Sequence, residues 1–207
     1  MIRQTCYCDV KPEKIDEVIK HTENWISTLQ NEYDEPIHYE AFQEKENPNV
    51  VCYYITFSSK QTEEDISSQS KPRQFGEKLY SMCKADPVWT YHNVIAGFRN
   101  SQQDSKIHMM VKYKVKPEKI EEVKKAITEF VEKIQKNEHD TRVYEIWQQE
   151  DEPTNFTHLD EFADEKSLES HKNASHTKKF VDMLYPNCIE EPKFISAKQI
   201  GSKELNS

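Results

Sequence analysis

Val10-Lys-Pro-Glu-Lys-Ile15 and Val115-Lys-Pro-Glu-Lys-Ile120 are the same hexapeptide, separated by 105 positions. The same separation, carried along the chain without a gap, pairs many further identical residues. They include Tyr39-Glu40 with Tyr144-Glu145, Phe57 with Phe162, Phe75 with Phe180, Leu79-Tyr80 with Leu184-Tyr185, and Pro87 with Pro192. One register held over this distance indicates two copies of a unit of roughly 100 residues. We predict domains at 1–98 and 107–203, joined by a polar linker at 99–106.

Hydrophobic periodicity predicts the order of elements within each copy. In the second copy, Ile107, Met109 and Val111 alternate as in a strand, and apolar residues between 120 and 134 recur at helical spacing. Strands are predicted at 142–149 and 155–162, a helix at about 164–184 and a last strand at 193–200. The first copy repeats the pattern, with predicted strands at 2–10, 37–44, 50–57 and 88–96, and predicted helices at 13–31 and 61–82.

The predicted order, βαββαβ, is that of the ferredoxin-like unit, an antiparallel sheet with two helices on one face. We therefore predict an α+β fold made of two tandem ferredoxin-like units. A single unit leaves the other face of its sheet bare. The two copies are expected to bury those faces together as a fused dimeric α/β-barrel, an intrachain pseudo-dimer. The sequence leaves open whether the chain associates further into a homo-oligomer.

Composition and charge restrict the classes of partner. The net charge is -9, which argues against nucleic acid or an anionic membrane surface as a partner, since both attract basic proteins. No stretch approaches the roughly 18 consecutive apolar residues of a membrane helix, and the first residues do not resemble a secretory signal. A cytoplasmic protein is expected. The five cysteines show no CxxC spacing, and Cys6 and Cys8, which alternate on a predicted strand, are expected to be buried thiols.

The segment from Phe162 to Phe180 concentrates the candidate chemistry. Leu168, His171 and Ser175 form one stripe of the predicted helix, which should face the sheet. On an uninterrupted helix His176 would lie about 140° from His171. In the first copy, however, a proline stands at the position of Thr177, which suggests that a new helix begins there. Such a break would let the two imidazoles approach one pocket between helix and sheet.

Several motifs of the second copy resemble the antibiotic biosynthesis monooxygenase domain, a member of the dimeric α/β-barrel superfamily. They are Tyr144-Glu-Ile-Trp147, the Glu150-Asp-Glu-Pro-Thr turn, Glu161-Phe-Ala-Asp164, and the spacing of Leu168, His171, Ser175-His176 and Phe180. The resemblance spans essentially all of the second copy. The first copy shares only the fold pattern, because Thr56, Ile66 and Lys71 occupy the positions of the glutamate and the two histidines. Members of the family include cofactor-free oxygenases of quinols and polyketide phenols, relatives that degrade haem, and many with no known reaction.

The resemblance directs attention to a proton-transfer site. A phenol or quinol must lose a proton before it reacts with oxygen, and histidine is the side chain suited to that transfer near neutral pH. We predict His171 as the catalytic residue, with His176 and Glu161 nearby. The alternative is a buried histidine hydrogen-bonded to Glu161 or to a backbone carbonyl.

Three further residues are predicted to bind the substrate: Trp147, His158 and Phe180. A core position explains Trp147 equally well. Strand parity places His158 and Glu161 on opposite faces of the sheet, so the two cannot line the same pocket.

Cofactor signals are weak in this sequence. No HxH, HExxH or CxxC pattern sets ligand geometry, so no metal site is predicted. The three glycines do not form a phosphate-binding loop, which argues against nucleotide cofactors. No cofactor is predicted, with haem as the alternative, because one axial histidine, His171 or His176, would suffice.

The resemblance implies a cofactor-independent monooxygenase acting on a small aromatic or quinol-like compound, with its pocket in the second copy and a structural first copy. One alternative is a haem-binding or haem-degrading protein. Another is a non-catalytic ligand-binding or stress-related module of the same fold. The sequence also leaves open whether the first copy has a pocket of its own, built from Tyr53, Tyr54 and Trp89.

Overall fold

The computed structural model describes residues 1–100 and 105–204. The first copy runs β1 (Ile2–Asp9), α1 (Ile15–Glu32), β2 (His38–Glu44), β3 (Val50–Phe57), α2 (Lys60–Ser67), α3 (Ser70–Met82) and β4 (Val88–Arg99). The second copy runs β5 (Ile107–Lys114), α4 (Ile120–Asn137), β6 (Thr141–Gln149), β7 (Asn155–Phe162), α5 (Glu165–Asn173), α6 (Ser175–Leu184) and β8 (Lys193–Glu204).

The separation of 105 positions found in the sequence also holds in the structure. Helices α1 and α4 begin and end 105 positions apart, and so do strands β3 and β7 and strands β4 and β8. Each Lys-Pro-Glu-Lys segment forms a short 3₁₀ turn, at Pro12–Lys14 and Pro117–Lys119, directly before its long helix. Proline suits this place because its fixed φ angle fits a first helical turn. The predicted duplication is confirmed element by element.

Both copies form the same antiparallel sheet. In the first copy β1 lies between β3 and β4, and β2 pairs with the other edge of β3. In the second copy β5 lies between β7 and β8, and β6 pairs with the other edge of β7. Both copies therefore have the strand order of the ferredoxin-like unit. The predicted α+β class and the two tandem ferredoxin-like units are confirmed.

Each unit buries one face of its sheet beneath its helices. The buried residues of α1 recur at helical spacing and join a core with alternate residues of β1 and β3, such as Cys6, Tyr53 and Ile55. The second core repeats this arrangement with α4, whose Phe130 and Ile134 pack over Tyr144 and Phe162. Full burial of one such apolar side chain stabilises a fold by about 1.5–3 kcal/mol. These two cores account for the placement of the helices.

The helix predicted at 164–184 is two helices, because the chain leaves helical geometry at Ala174. Helix α5 begins with a capping box in which Asp164 accepts a bond from the Ser167 amide at 2.9 Å. It ends at Asn173, and Ala174 takes the extended angles φ -60 and ψ 141 before α6 begins. The first copy breaks at Ser68 and Gln69, with Pro72 in the first turn of α3. The predicted break is therefore present in both copies.

Clustering of contacts divides the chain into two compact units. One comprises Met1–His92 and the C-terminal residues from Lys198, and the other comprises Asn93–Ala197. The boundaries therefore fall within β4 and within β8. The boundaries predicted from the sequence at 98 and 107 remain predictions, and residues 101–104 of the predicted linker lie outside the described residues.

Two predictions from composition can be compared with the structure. All five cysteines are buried, and the described part of the chain forms no disulfide. Cys6 and Cys8 are fully buried with their sulfur atoms 3.8 Å apart, which confirms the expectation of buried thiols on one face of β1. Within the described residues, no helix combines the length and the apolar character needed to cross a membrane.

A close backbone approach in the second unit yields a stability prediction. A Cβ atom added to Gly97 of β4 would lie 2.8 Å from Glu145 Cγ and 3.0 Å from the Tyr144 carbonyl oxygen, whereas one added to Gly76 of α3 would meet nothing within 4 Å. We expect Gly97→Ala to lower the free energy of unfolding by about 1–3 kcal/mol through overpacking. Gly76→Ala should leave it unchanged or raise it. Urea denaturation measures both, and equal stabilities for the two variants would contradict the prediction.

Candidate functional site

One carboxylate holds the two candidate histidines of the second unit together. Glu138 directly follows α4, and its side chain is largely buried. His171 Nδ1 donates a hydrogen bond of 2.9 Å to Glu138 Oε2, and His176 Nε2 donates one of 2.5 Å to Oε1. The Thr141 hydroxyl also donates to Oε2, at 2.9 Å. The break at Ala174 allows this convergence, since it places His176 on a new helix.

Glu138 is charged at neutral pH. Burial raises the pKa of this carboxyl, but the hydrogen bond and the charge of His171, with the bonds from His176 and Thr141, shift it further in the opposite direction. The net effect is a pKa below the ordinary value for glutamate. A carboxylate only accepts hydrogen bonds, so the bonded nitrogens, His171 Nδ1 and His176 Nε2, carry hydrogen. In a neutral imidazole the other nitrogen then holds a lone pair, which can take a proton from a ligand.

Aromatic rings surround the His171–Glu138–His176 cluster. The Phe130 ring lies 6.0 Å from the His171 ring and 6.1 Å from the His176 ring, centroid to centroid. Its face stacks on Phe180 at 4.2 Å. Tyr144 and Phe162 approach the His171 ring to 5.4 and 5.2 Å. The cluster therefore lies at the edge of an aromatic layer between the helices and the sheet.

The sheet contributes a second polar group beneath this aromatic layer. The Nε2 atom of His158 lies 2.8 Å from the Tyr113 hydroxyl, and its Nδ1 atom lies 3.4 Å from the Tyr144 hydroxyl. Burial, with the nearby charge of His171 as the smaller cause, lowers the pKa of His158 to about 3. His158 is thus a neutral imidazole between two phenols, with one nitrogen donating and the other accepting.

Asp160 is a buried carboxyl on the same sheet face as His158. Burial raises its pKa well above the ordinary value, and the charge of Glu138 raises it further. Its Oδ1 atom has no hydrogen-bond partner among the described residues. A buried polar atom without a partner is costly, and in natural proteins it often marks the place of a ligand or water.

The predicted site residues fall on both faces of the β6–β7 sheet. His171, His176, His158 and Phe180 lie on the helix side, where Phe180 and His158 are 6.3 Å apart. Glu161 is on the opposite face, where its Oε2 atom is 3.5 Å from His108 Nδ1.

Trp147 also lies on the face opposite the helices. It is fully buried and donates from Nε1 to Glu145 Oε2 at 3.1 Å. The structure thus brings the two predicted histidines together around a glutamate, but around Glu138 and not Glu161.

Sequence reasoning missed Glu138 and gave no role to Asp160. Asp160 could have been found, because it shares strand parity with His158 and is a carboxyl on the strand face that also carries Phe156 and Phe162. Glu138 gives no such signal. It stands just past the end of a helix, and its counterpart in the first copy is Tyr33.

The first unit lacks this set of titratable groups. The residues at the positions of His171, His176 and Asp160 are Ile66, Lys71 and Ile55. His158 is replaced by Tyr53. The histidines and the buried carboxyl of the second unit therefore have no equivalents at the matching positions of the first unit.

Residues 106–183 match the family model described as antibiotic biosynthesis monooxygenase. The match covers most of the second unit, from β5 into α6. All the groups of the polar layer, Tyr113, Glu138, Tyr144, His158, Asp160, His171 and His176, lie within the matched residues. No curated protein matches the chain.

Solved structures extend the likeness over the full chain. A Lactobacillus acidophilus NCFM protein described as a "putative monooxygenase" is 12% identical, with a TM-score of 0.86 over 98% of this chain and 95% of its own. A Fusobacterium nucleatum protein with the same description is 14% identical, with a TM-score of 0.88 over 99% and 94%. A protein described as "anthrone oxidase-like" is 9% identical, with a TM-score of 0.71 over 100% and 94%. These identities establish the fold and not the activity.

No metal-binding cluster is found among the described residues. Across residues 1–100 and 105–204, no group of three or more histidine, cysteine, aspartate or glutamate side chains is arranged to hold a metal ion. The predictions of no cofactor, and of haem as the alternative, stay predictions.

The depressed pKa of His158 makes stability depend on pH. Its pKa is about 3 in the folded chain and 6.5 in the unfolded chain, so below pH 6.5 the unfolded chain binds a proton that the folded chain does not. Unfolding is therefore favoured as the pH falls. His158 alone should remove about 2 kcal/mol of stability between about pH 6.5 and about pH 5. Replacing His158 by glutamine, which does not titrate, should flatten the urea-denaturation profile over this range by that amount. Identical pH slopes in both proteins would refute the assignment.

Proposed function

We propose that the chain is a cofactor-independent monooxygenase acting on a small aromatic or quinol-like compound, with the reacting groups in the second unit. The observation that carries the proposal is the shared carboxylate of Glu138, which orients His171 and His176 at the edge of an aromatic layer. The family match supports the same reaction class.

The first step is removal of a proton from the substrate hydroxyl. His171 is the proposed base, through its Nε2 atom, because its Nδ1 hydrogen is held by Glu138. The carboxylate fixes the tautomer of the ring and stabilises the imidazolium that forms, as in other histidine–carboxylate pairs. His176 shares the same carboxylate and is proposed to pass the proton onward to solvent.

The second step is the reaction of the substrate anion with oxygen. The electron-rich ring carbon transfers electrons to O₂ and forms a carbon–oxygen bond. One oxygen atom stays in the product, and the other leaves as water with two of the substrate's hydrogens. A quinol thus becomes a hydroxyquinone, and all four electrons that O₂ accepts come from the substrate. No external reductant is needed.

Asp160 is proposed to position the substrate. Burial keeps its carboxyl protonated, so it can donate a hydrogen bond as well as accept one. A substrate oxygen beside Asp160 would satisfy Oδ1, the atom without a partner. Phe180 and His158 are proposed to contact the same ligand, since they lie on this face of the sheet. Glu161 and Trp147, on the other face, are given no role in these steps.

His171→Ala should abolish most of the activity in an oxygen-uptake assay with a panel of hydroquinones. The loss of a positioned base lowers kcat by about 100- to 10,000-fold. Glu138→Gln should also lower kcat, because the neutral amide no longer stabilises the imidazolium that forms in the first step. Lys172→Ala changes the exposed neighbour on the same helix and should retain full activity.

The outcomes separate the three candidate functions. If no hydroquinone supports oxygen uptake, and if added haem gives a saturable Soret band that His171→Ala removes, the site binds haem instead. Unchanged uptake by His171→Ala would overturn the proposed base. A chain that binds quinols without consuming oxygen would be a binding module.

A further inference from the structure

The first unit contains a cavity of about 470 Å³ between its three helices and its sheet. Eight aromatic side chains, from the helices and from the sheet, contribute to its wall, among them Trp25, Tyr53, Phe75, Trp89 and Tyr91. The volume is within the range of small-molecule pockets, which is about 300–1,000 Å³. Of the three residues that the sequence left open for such a pocket, Tyr53 and Trp89 line it. Tyr54 points to the other sheet face, where its hydroxyl lies 2.8 Å from that of Tyr7.

The rings of the wall are already ordered by contacts with one another. Phe75 stacks on Trp25 at 5.0 Å with 16° between the planes, and it meets Tyr53 edge-on at 6.3 Å. The Tyr53 hydroxyl is bonded to Thr22 Oγ1 at 2.9 Å, and the indole of Trp89 donates to the Tyr80 hydroxyl. Flat surfaces that are fixed before binding favour flat ligands, since little side-chain freedom is lost on association.

Charge at the cavity argues against an anionic ligand. The charged lining residues are Glu63, Arg73 and Glu77, and Arg73 already lies 3.9 Å from Glu77. Glu63 accepts a hydrogen bond from the Tyr91 hydroxyl at 3.3 Å. Two carboxylates and one guanidinium leave a net negative wall, which repels a carboxylate, sulfonate or phosphate group. An uncharged ligand avoids this cost.

The lining also differs from the polar layer of the second unit. Histidine is absent from the cavity lining as far as the structure describes it, and Ile55 and Ile66 stand where the second unit has Asp160 and His171. Gly76 lines the cavity, and a Cβ atom there would meet open space, whereas its counterpart in the second unit is Val181. The first unit has room for a ligand but not the histidine base assigned to the second.

From these observations we infer that the first unit is a binding site for an uncharged, planar aromatic molecule, and that it binds this molecule without transforming it. The inference does not rest on the proposed oxygenation, because every group that lines the cavity belongs to the first unit. It also replaces the expectation that this copy is merely structural.

A pair of matched probes tests the inference on the full chain. N-phenyl-1-naphthylamine is uncharged, and 1-anilinonaphthalene-8-sulfonate has the same ring system with a sulfonate added. The uncharged probe should bind saturably and quench the fluorescence of Trp25 and Trp89, with an affinity about tenfold or more above that of the sulfonate. Equal or tighter binding of the sulfonate would overturn the inferred ligand class.

Gly76→Leu locates the bound probe. The leucine side chain enters open space on a helix, so folding should be retained while the dissociation constant of the uncharged probe rises about tenfold or more. Gly76→Ala is the matched control and should bind as the unchanged chain does. Ser67→Phe, at an exposed lining position on α2, supplies a second obstruction that does not depend on α3. Binding unaffected by both obstructions would place the probe elsewhere and refute the site.

The oxygen-uptake assay keeps this inference distinct from the proposed function. The Gly76→Leu variant should bind the uncharged probe more weakly but should still consume oxygen. The His171→Ala variant should consume little oxygen but should still bind the probe. Loss of probe binding in His171→Ala but not in Gly76→Leu would assign the aromatic ligand to the second unit instead.

Discussion

The carboxylate of Glu138 is the constraint on which the polar layer of the second unit depends. A largely buried carboxylate is stable only if its desolvation is offset, and here two imidazoles and a hydroxyl supply the hydrogen bonds. The bonds join the end of α4 to both α5 and α6. They require α6 to begin where it does, because an uninterrupted helix would direct His176 away from His171. The helix break at Ala174 and the acid–base cluster therefore explain each other.

The two units share one backbone fold, but the side chains between their helices and their sheet differ. Helix α1 matches α4 residue for residue in extent, and β4 matches β8. Yet Tyr33 replaces Glu138, and isoleucines, Ile55 and Ile66, replace Asp160 and His171. A backbone held by its own hydrogen bonds and by an apolar core tolerates such changes at the layer between helix and sheet. One copy could thus acquire titratable groups, and the other an open, aromatic cavity, without a change of fold.

The sequence was sufficient for the fold and for part of the site. Repeat register, strand alternation and helical spacing each report backbone geometry directly, so the element order and the break before His176 could be predicted. His171 and His176 could be identified because both lie on the predicted helix. Glu138 could not, since its partners are fixed by the path of the chain after α4 and not by periodicity. The sequence offered Tyr53 and Trp89 for a pocket in the first unit but could not establish the cavity, because its space depends on small differences in side-chain volume, such as Gly76 against Val181.

The contrast between the copies also bears on why each is retained. A buried, protonated Asp160 and a neutral His158 destabilise the second unit relative to an apolar lining, and the first unit shows that the fold accepts apolar residues at Asp160's position. Stability alone therefore does not account for the polar layer. By the same reasoning, stability does not account for a cavity in the first unit, since filling it from Gly76 would add contacts and improve helix propensity. Both departures from the more stable solution occur in the helix–sheet layer, and the two proposed ligand sites would account for both.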